Sequence, residues 1–275
     1  MVRLDYAGGD GCPLCAFSTQ EPHAAAASQL PVLVLMHGGG PDHRSLVPLA
    51  ERLGSAATVV LPDVRGYGRS VCADEARHTW AQYADDVVSL LDRLRASRAV
   101  VGGAGLGATV ALRTAMAYPG RVSGLVLISV EDIEDDAAKA AELAFMAAFA
   151  ERMRTRGVEA AWAPILADLS PVIGAMVREA MPDANPASLA AAAAIGRDRA
   201  FRHVDELLGI QAPTLVFAGA DWRHPVALAK ALAERLPRGR MARASMSDDL
   251  RSTEDFARAF APEIEAFLRE LRRHD

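Results

Sequence analysis

The chain has 275 residues, 51% hydrophobic and 24% charged, enough to bury a large core and too apolar for extensive disorder. Its net charge of −5 offers no basic face to nucleic acid or an anionic membrane, and neither is expected as a partner. The N-terminus has no signal-peptide core and no run approaches the roughly 18 apolar residues of a membrane span, so a cytoplasmic protein is expected.

Residues 3–6 and 14–18, joined by a glycine turn, predict an opening hairpin. Cys12 and Cys15 form a C-x-x-C pair with no helix start and no second ligand pair beside it. They are read as buried structural thiols. A loop over 23–29 leads into PVLVLMHGGG, a continuous apolar run ending in glycines, as expected of a strand covered on both faces. Residues 45–53 carry a helical spacing, 58–61 a short strand, and 62–70 a loop. The segment 81–94 is an amphipathic helix with Val87, Val88, Leu91 and Leu94 on one side. A strand from Val100, a glycine turn over 102–107, a helix over 109–117 and a strand over 122–129 come next. This alternation predicts a mostly parallel sheet with right-handed crossovers.

The rhythm stops after Ile133. To about Leu208 the sequence is alanine-rich and helical in period, broken at Gly157, Pro164, Pro171, Gly174, Pro182 and Pro186. Strand and helix return at 213–218, 225–236, 240–246 and 253–272. The simplest organisation is an α/β core over 1–132 and 211–275 with a helical cap over 133–210, a lid of the kind that covers a ligand site.

Several motifs, in order, resemble the α/β-hydrolase family over nearly the whole chain. His37-Gly38-Gly39-Gly40-Pro41 is similar to the H-G-G motif after the third strand. Asp63-Val64-Arg65-Gly66-Tyr67-Gly68-Arg69-Ser70 is similar to the D-x-R-G-x-G-x-S loop after the fourth. Tyr118-Pro119-Gly120-Arg121-Val122, with the strand after it, is similar to the family's segment beyond the nucleophile helix. The resemblance implies an α/β-hydrolase fold, with backbone N–H groups at Gly38 or Gly39 and at Leu106 forming an oxyanion hole.

The catalytic positions depart from the family pattern. Gly103-Ala104-Gly105-Leu106-Gly107 has the outline of G-x-S-x-G, but Gly105 stands at the nucleophile position. Glycine adopts the turn as readily as serine, so the elbow can persist without its attacking atom. At the spacing of the family's acid stands Trp222, with Asp221 one residue earlier, either a displaced acid or a carboxylate capping the next helix. The loop where the family carries its histidine reads MARASMSDDLRSTEDF and has none, and His274 lies in the terminal tail.

The remaining candidates are few. His224 opens the helix after the acid strand. It is either a surface histidine or, with its pKa depressed by the helix N-terminus, a general base. His37 either shapes the oxyanion loop or touches ligand. His43 and Arg44 could reach an anionic group, and Asp248-Asp249 could orient a water. Arg65 and Tyr67 read as loop scaffolding. The acidic run Glu131, Asp132, Glu134, Asp135, Asp136 reads as a solvated helix start.

Three functions are open, in order of preference. The first is a cofactor-independent, non-hydrolytic enzyme (lyase, isomerase or cyclase) acting on a small organic molecule, with His224 and Asp221 as acid/base groups. His37, Gly38, Gly39, Gly105, Leu106 and Trp222 would then surround the ligand. The second is a non-catalytic small-molecule-binding pseudo-hydrolase, and the third an atypical hydrolase using an activated water. No metal or cofactor motif is present, and a homodimer is left open.

Overall fold

The structure, a computed structural model, describes residues 1–21 and 30–273; the loop expected over 23–29 and His274 lie outside them. Eight strands form one sheet: β1 (Val2–Ala7), β2 (Pro13–Ser18), β3 (Val32–Met36), β4 (Thr58–Pro62), β5 (Ala99–Ala104), β6 (Val122–Ile128), β7 (Thr214–Ala218) and β8 (Gly239–Ser245). Their order is β1-β2-β4-β3-β5-β6-β7-β8. The hairpin β1–β2 and the β2–β4 pair are antiparallel, and β4 through β8 are parallel. This is the expected α/β-hydrolase fold, a mostly parallel sheet flanked by helices.

Both faces are covered because consecutive strand residues point to opposite sides. Val34, Met36, Val60, Val101, Leu125 and Val216 face a core with helices α2 (Trp80–Arg93), α3 (Leu106–Ala117) and α7 (Val226–Arg235). Leu33, Leu35, Val59, Val100, Val126 and Phe217 face another with α1 (Val47–Leu53) and α8 (Thr253–Leu271). Strands of this kind read as unbroken apolar runs rather than alternating ones.

Between β6 and β7 lie α4 (Asp136–Leu166), α5 (Pro171–Ala180) and α6 (Pro186–Ala192). Gly157, with φ +82°, kinks α4, whereas Pro164 stays within it. These helices share an apolar cluster of their own around Phe149, Met153, Trp162, Val177 and Leu189. The one pairing in this stretch among the described residues is an isolated parallel bridge, Ile133 to Phe201. It ties the two ends of the segment together beside the sheet.

Two buried ionic clusters fix the loops below the site. Arg65, fully buried, makes paired contacts to Asp10 and Asp86 at 2.7–2.9 Å, so its scaffolding role is plain. Asp63 accepts from the His43 and Arg69 backbone N–H groups and contacts His43 Nδ1 at 2.8 Å. His43 also stacks on Phe17, and Arg44 is bound to Asp42 and Asp183. Both fasten the loop after β3 to its neighbours, and neither lines the cavity above that loop. Cys12, Cys15 and Cys72 are free and buried, and burial pushes the Cys12 and Cys15 thiols up to about 11. No described helix is long and apolar enough to cross a membrane.

Candidate active site

The turn between β5 and α3 is built around Gly105, whose φ of +51° and ψ of −119° lie where side chains are disfavoured. Its N–H donates to the Ile128 carbonyl at 3.0 Å and its own carbonyl accepts from Ala108 N–H at 2.9 Å. A Cβ on Gly107 would stand 2.4 Å from the Met36 carbonyl oxygen, so only glycine lets α3 approach β3 this closely. Leu106, the first residue of α3, has an N–H without an intrahelical acceptor.

Above this turn, at the C-terminal ends of the parallel strands where α/β sheets bind ligands, lies a cavity of about 700 Å³. Gly38, Gly39, Gly105 and Leu106 line its floor, and Phe145, Phe149, Trp162, Ile173 and Leu189 from the helices between β6 and β7 form an apolar wall. His37 borders it, but both ring nitrogens are engaged: Nδ1 with the Gly38 carbonyl at 2.8 Å and Nε2 with Val64 N–H at 3.0 Å. Accepting from an N–H requires Nε2 unprotonated, so Nδ1 donates and the ring is neutral, in keeping with burial lowering its pKa. His37 is thus a brace between the two loops, with neither ring nitrogen left to bond a ligand.

His224 enters the cavity from the loop after β7. Its Nδ1 lies 2.8 Å from Asp221 Oδ1, and its Nε2 lies 3.2 Å from Glu131 Oε2. Asp221 also accepts from the Arg223 and His224 backbone N–H groups at 2.9 and 3.0 Å. It thereby shapes this loop and orients the ring; it does not cap α7, whose first turn has no side-chain cap.

A carboxylate at each nitrogen reverses the expected direction of the histidine's pKa. Burial opposes the charge, but Glu131 and then Asp221 outweigh it and push the imidazole up to about 10. The helix N-terminus is the weaker influence because two full charges lie within hydrogen-bonding range. His224 is therefore an imidazolium at neutral pH, not a neutral base. Glu131 in turn, despite burial, is held down to about 2 by His224 and Arg223. Arg223 bridges Glu131 at 3.3 Å to Glu142 on α4 at 3.0 Å. Asp221, His224, Glu131, Arg223 and Glu142 make one chain of alternating charge.

This chain crosses the space over the elbow. A Cβ on Gly105 would lie 3.1 Å from Glu131 Oε1 and 3.4 Å from His224 Nε2. The imidazolium and its carboxylate thus sit where an elbow side chain would project.

Other sequence candidates land elsewhere. Trp222 is 76% exposed, does not line the cavity, and carries the Arg223 guanidinium 5.8 Å above its ring. It points outward because Asp221 and His224, folded against each other, turn the intervening loop away. Asp248 borders the cavity and Asp249 does not. Tyr67, read as scaffolding, lines it.

The acidic run after β6 divides. Asp135 caps α4, accepting from the Ala137 and Ala138 N–H groups, and Asp136 is exposed, as a solvated helix start predicts. Glu131 and Asp132 instead line the cavity. Their one available signal was position: they come directly after a parallel strand, at the sheet edge that holds ligands. Asp132 has φ +61°, unusual outside glycine. Burial, with Glu131 and Glu142 nearby, pushes its carboxyl well above the ordinary range.

Taken together, the sheet, the glycine elbow beneath a cavity and the loops converging on it define a member of the α/β-hydrolase class. The model of the "Alpha/beta hydrolase family" matches residues 33–270, and the chain belongs to that family. Among curated relatives, the "putative carbamate hydrolase RutD" of Caulobacter sp. (strain K31) is 36% identical over 109 residues, 40% of this chain and 41% of that protein. The match thus spans less than half of that relative's length. Among solved structures, a thermophilic esterase from Thermogutta terrifontis has a TM-score of 0.79 at 24% identity, covering 99% of this chain and 100% of that one. The bottromycin epimerase BotH, in complex with bottromycin A2, has a TM-score of 0.73 at 21% identity, covering 98% and 100%. At these identities the structures share the fold.

Proposed function

We propose that this chain is a cofactor-independent, non-hydrolytic enzyme, a lyase, isomerase or cyclase, that moves protons on a small carbonyl compound in the cavity above Gly105. The observation that carries the reading is the imidazolium of His224, held between Asp221 and Glu131, over an elbow residue that has no atom to attack with. Acyl transfer needs a nucleophile and an unprotonated base beside it. Proton transfer needs an acid, a base and donors for a developing oxyanion.

In this reading the roles follow the charge chain. A substrate carbonyl oxygen takes the place of Glu131 at His224 Nε2 and receives its proton, with the N–H groups of Leu106 and of Gly38 or Gly39 as further donors. Glu131, released from the imidazolium, becomes more basic and accepts a proton from the carbon next to the carbonyl. The enol so formed is discharged by the same two groups in reverse, at the other face or another carbon. Asp221 keeps the imidazole oriented throughout. The name of one structural relative, the bottromycin epimerase, describes a non-hydrolytic reaction on this fold, so the scaffold admits this class.

The test is deuterium wash-in from heavy water, monitored by NMR across a panel of carbonyl compounds with ester and lactone hydrolysis measured in parallel. Wash-in or isomerisation that disappears in His224→Gln, while the compound still binds, is the expected result. Hydrolysis that depends on His224, without wash-in, would replace this reading with the hydrolase one suggested by the carbamate hydrolase and esterase names of the relatives. A second reading, a binding protein, draws on the apolar wall of the cavity. It is favoured if ligands raise the melting temperature and no product forms over many hours.

A further inference from the structure

The loop after β4 is fastened by Arg65 to Asp10 and Asp86 and by Asp63 to the Arg69 N–H, and Tyr67 is displayed at its tip. Tyr67 N–H donates to the Val64 carbonyl at 2.9 Å, and Ser70 N–H donates to the Tyr67 carbonyl at 2.9 Å. Glycines flank the tyrosine at positive φ, Gly66 at +94° and Gly68 at +50°. A Cβ on them would stand 2.7 Å from Ala192 Cβ and 2.5 Å from the Asp63 carboxylate, so this turn admits a side chain only between them. The Tyr67 ring packs against both the core cluster of α2 and α3 and the apolar cluster of the helices between β6 and β7. It also meets His37 edge-on, with ring centroids 5.5 Å apart. Held in this way, the residue lines the cavity, and among the described residues its hydroxyl has no hydrogen-bond partner.

The hydroxyl stands beside the glycine loop after β3. The Gly39 Cβ position lies 3.7 Å from Tyr67 Oη, and apart from Gly39's own chain neighbours no other described heavy atom comes within 4 Å of it. Gly39 therefore faces open cavity with the phenol at its side. The N–H groups of Gly38 and Gly39 have no acceptor among the described residues, and the Leu106 N–H has none within its helix. These are donors without acceptors around one floor, and their complement is an oxygen that offers lone pairs.

We infer that Tyr67 is a further catalytic residue, whose hydroxyl donates to the same ligand oxygen as the N–H groups of Leu106 and of Gly38 or Gly39. The inference rests on the proposed function in one respect, that the ligand carries a carbonyl group. Burial, then Glu131 and Asp132, push the phenol above its ordinary value, which keeps its proton in place for donation. Tyr67 lends a hydrogen bond and transfers no proton; the proton that reaches the oxygen comes from His224, and the one removed from carbon goes to Glu131. As the C–H bond breaks, negative charge grows on the carbonyl oxygen, and a donor already fixed in position gains strength with that charge. The packed ring supplies the fixing, so little side-chain freedom is lost when the bond forms.

Acetophenone and benzylacetone, isotope-labelled at the carbonyl carbon, provide the test, by infrared spectroscopy of the bound ketone, calorimetry and deuterium wash-in. In Tyr67→Phe the bound carbonyl band is expected to move to higher wavenumber. Ketone affinity should fall roughly two- to tenfold, the range of one neutral hydrogen bond, and wash-in should slow by more than the affinity falls. Ethylbenzene, which offers no oxygen, should bind both forms alike, and the melting temperature should not change because the hydroxyl has no protein partner to lose. An unmoved band, unchanged ketone affinity, an equal loss of ethylbenzene binding or a clearly lower melting temperature would each overturn the inference. Failure of both ketones to bind the wild type would overturn it together with its carbonyl premise. A band shift that depends on Tyr67, with no wash-in by the wild type, would leave the inference standing and count against the proposed enzymatic reading. Wash-in that depends on His224 and is indifferent to Tyr67 would do the reverse.

Discussion

Replacing Glu131 by glutamine removes the negative charge 3.2 Å from His224 Nε2 while keeping the size of the side chain. Two unit charges at that distance attract by about 5 kcal/mol at an effective dielectric of roughly 20, and desolvation of the buried partners offsets part of this. What survives, together with Asp221, lifts the histidine from its ordinary 6.5 to about 10, each tenfold change in proton affinity being about 1.4 kcal/mol. A single neighbouring charge accounts for roughly 1–3 pH units, so Glu131→Gln is expected to bring the His224 midpoint down to roughly 7–9, with Asp221 retaining the rest. Because the folded state holds this proton more tightly than the unfolded chain, the stabilisation is fully present below pH 6.5 and is lost as pH rises through about 10. The wild type should therefore lose stability from near neutral pH to about pH 10, and the variant less of it and over a lower range. Ring nitrogen NMR through a pH titration reads the midpoint, and urea unfolding at each end of the range reads the stability. A midpoint that stays near 10 in the variant, or one below neutrality in the wild type, would refute the reasoning.

Gly105→Ala places a Cβ at φ +51° and 3.1 Å from Glu131 Oε1; strain of this kind costs of order 1–3 kcal/mol, to be read as a lower melting temperature, and an unchanged one would count against the described turn. Gly105→Ser alone should hydrolyse p-nitrophenyl acetate no faster than buffer, since the adjacent imidazolium has no free site for the hydroxyl proton, whereas Gly105→Ser with Glu131→Gln should gain a rate that rises as His224 loses its proton. Arg65→Met leaves Asp86 buried without its cation and should destabilise the fold by about 3–5 kcal/mol in urea denaturation, while a loss under 1 kcal/mol would show the cluster to be dispensable. Trp162→Ala removes a cavity wall that packs edge-on to Phe149 at 5.0 Å; a loss of about 3 kcal/mol is expected, with tighter binding of bulkier apolar ligands.

The fold was legible in the sequence because most of its determinants are local. PVLVLMHGGG reads as a buried strand ending in a turn since Leu33 and Leu35 face one layer and Val34 and Met36 the other. The amphipathic helix at Trp80–Arg93 buries Val87, Leu90 and Leu91 as their spacing requires. The site was legible in part. Proximity to the C-terminal sheet edge singled out His224, and the α/β-hydrolase acid spacing pointed to Asp221; the structure brings the two together. The shift of His224 runs opposite to the sequence expectation because the deciding charge, Glu131, lies 93 positions earlier in the chain, after a different strand.

The sequence by itself determined the sheet, the glycine elbow and the absence of a side chain at position 105, because hydrophobic period and the steric demands of a turn are properties of neighbouring residues. Tertiary structure alone decided which charges meet. It turned Trp222 outward, engaged both nitrogens of His37, and drew Glu131 out of an acidic run to hold His224 as an imidazolium. Electrostatic energies depend on separations of a few ångströms in a poorly solvated space, and those separations are set by packing between strands far apart in sequence.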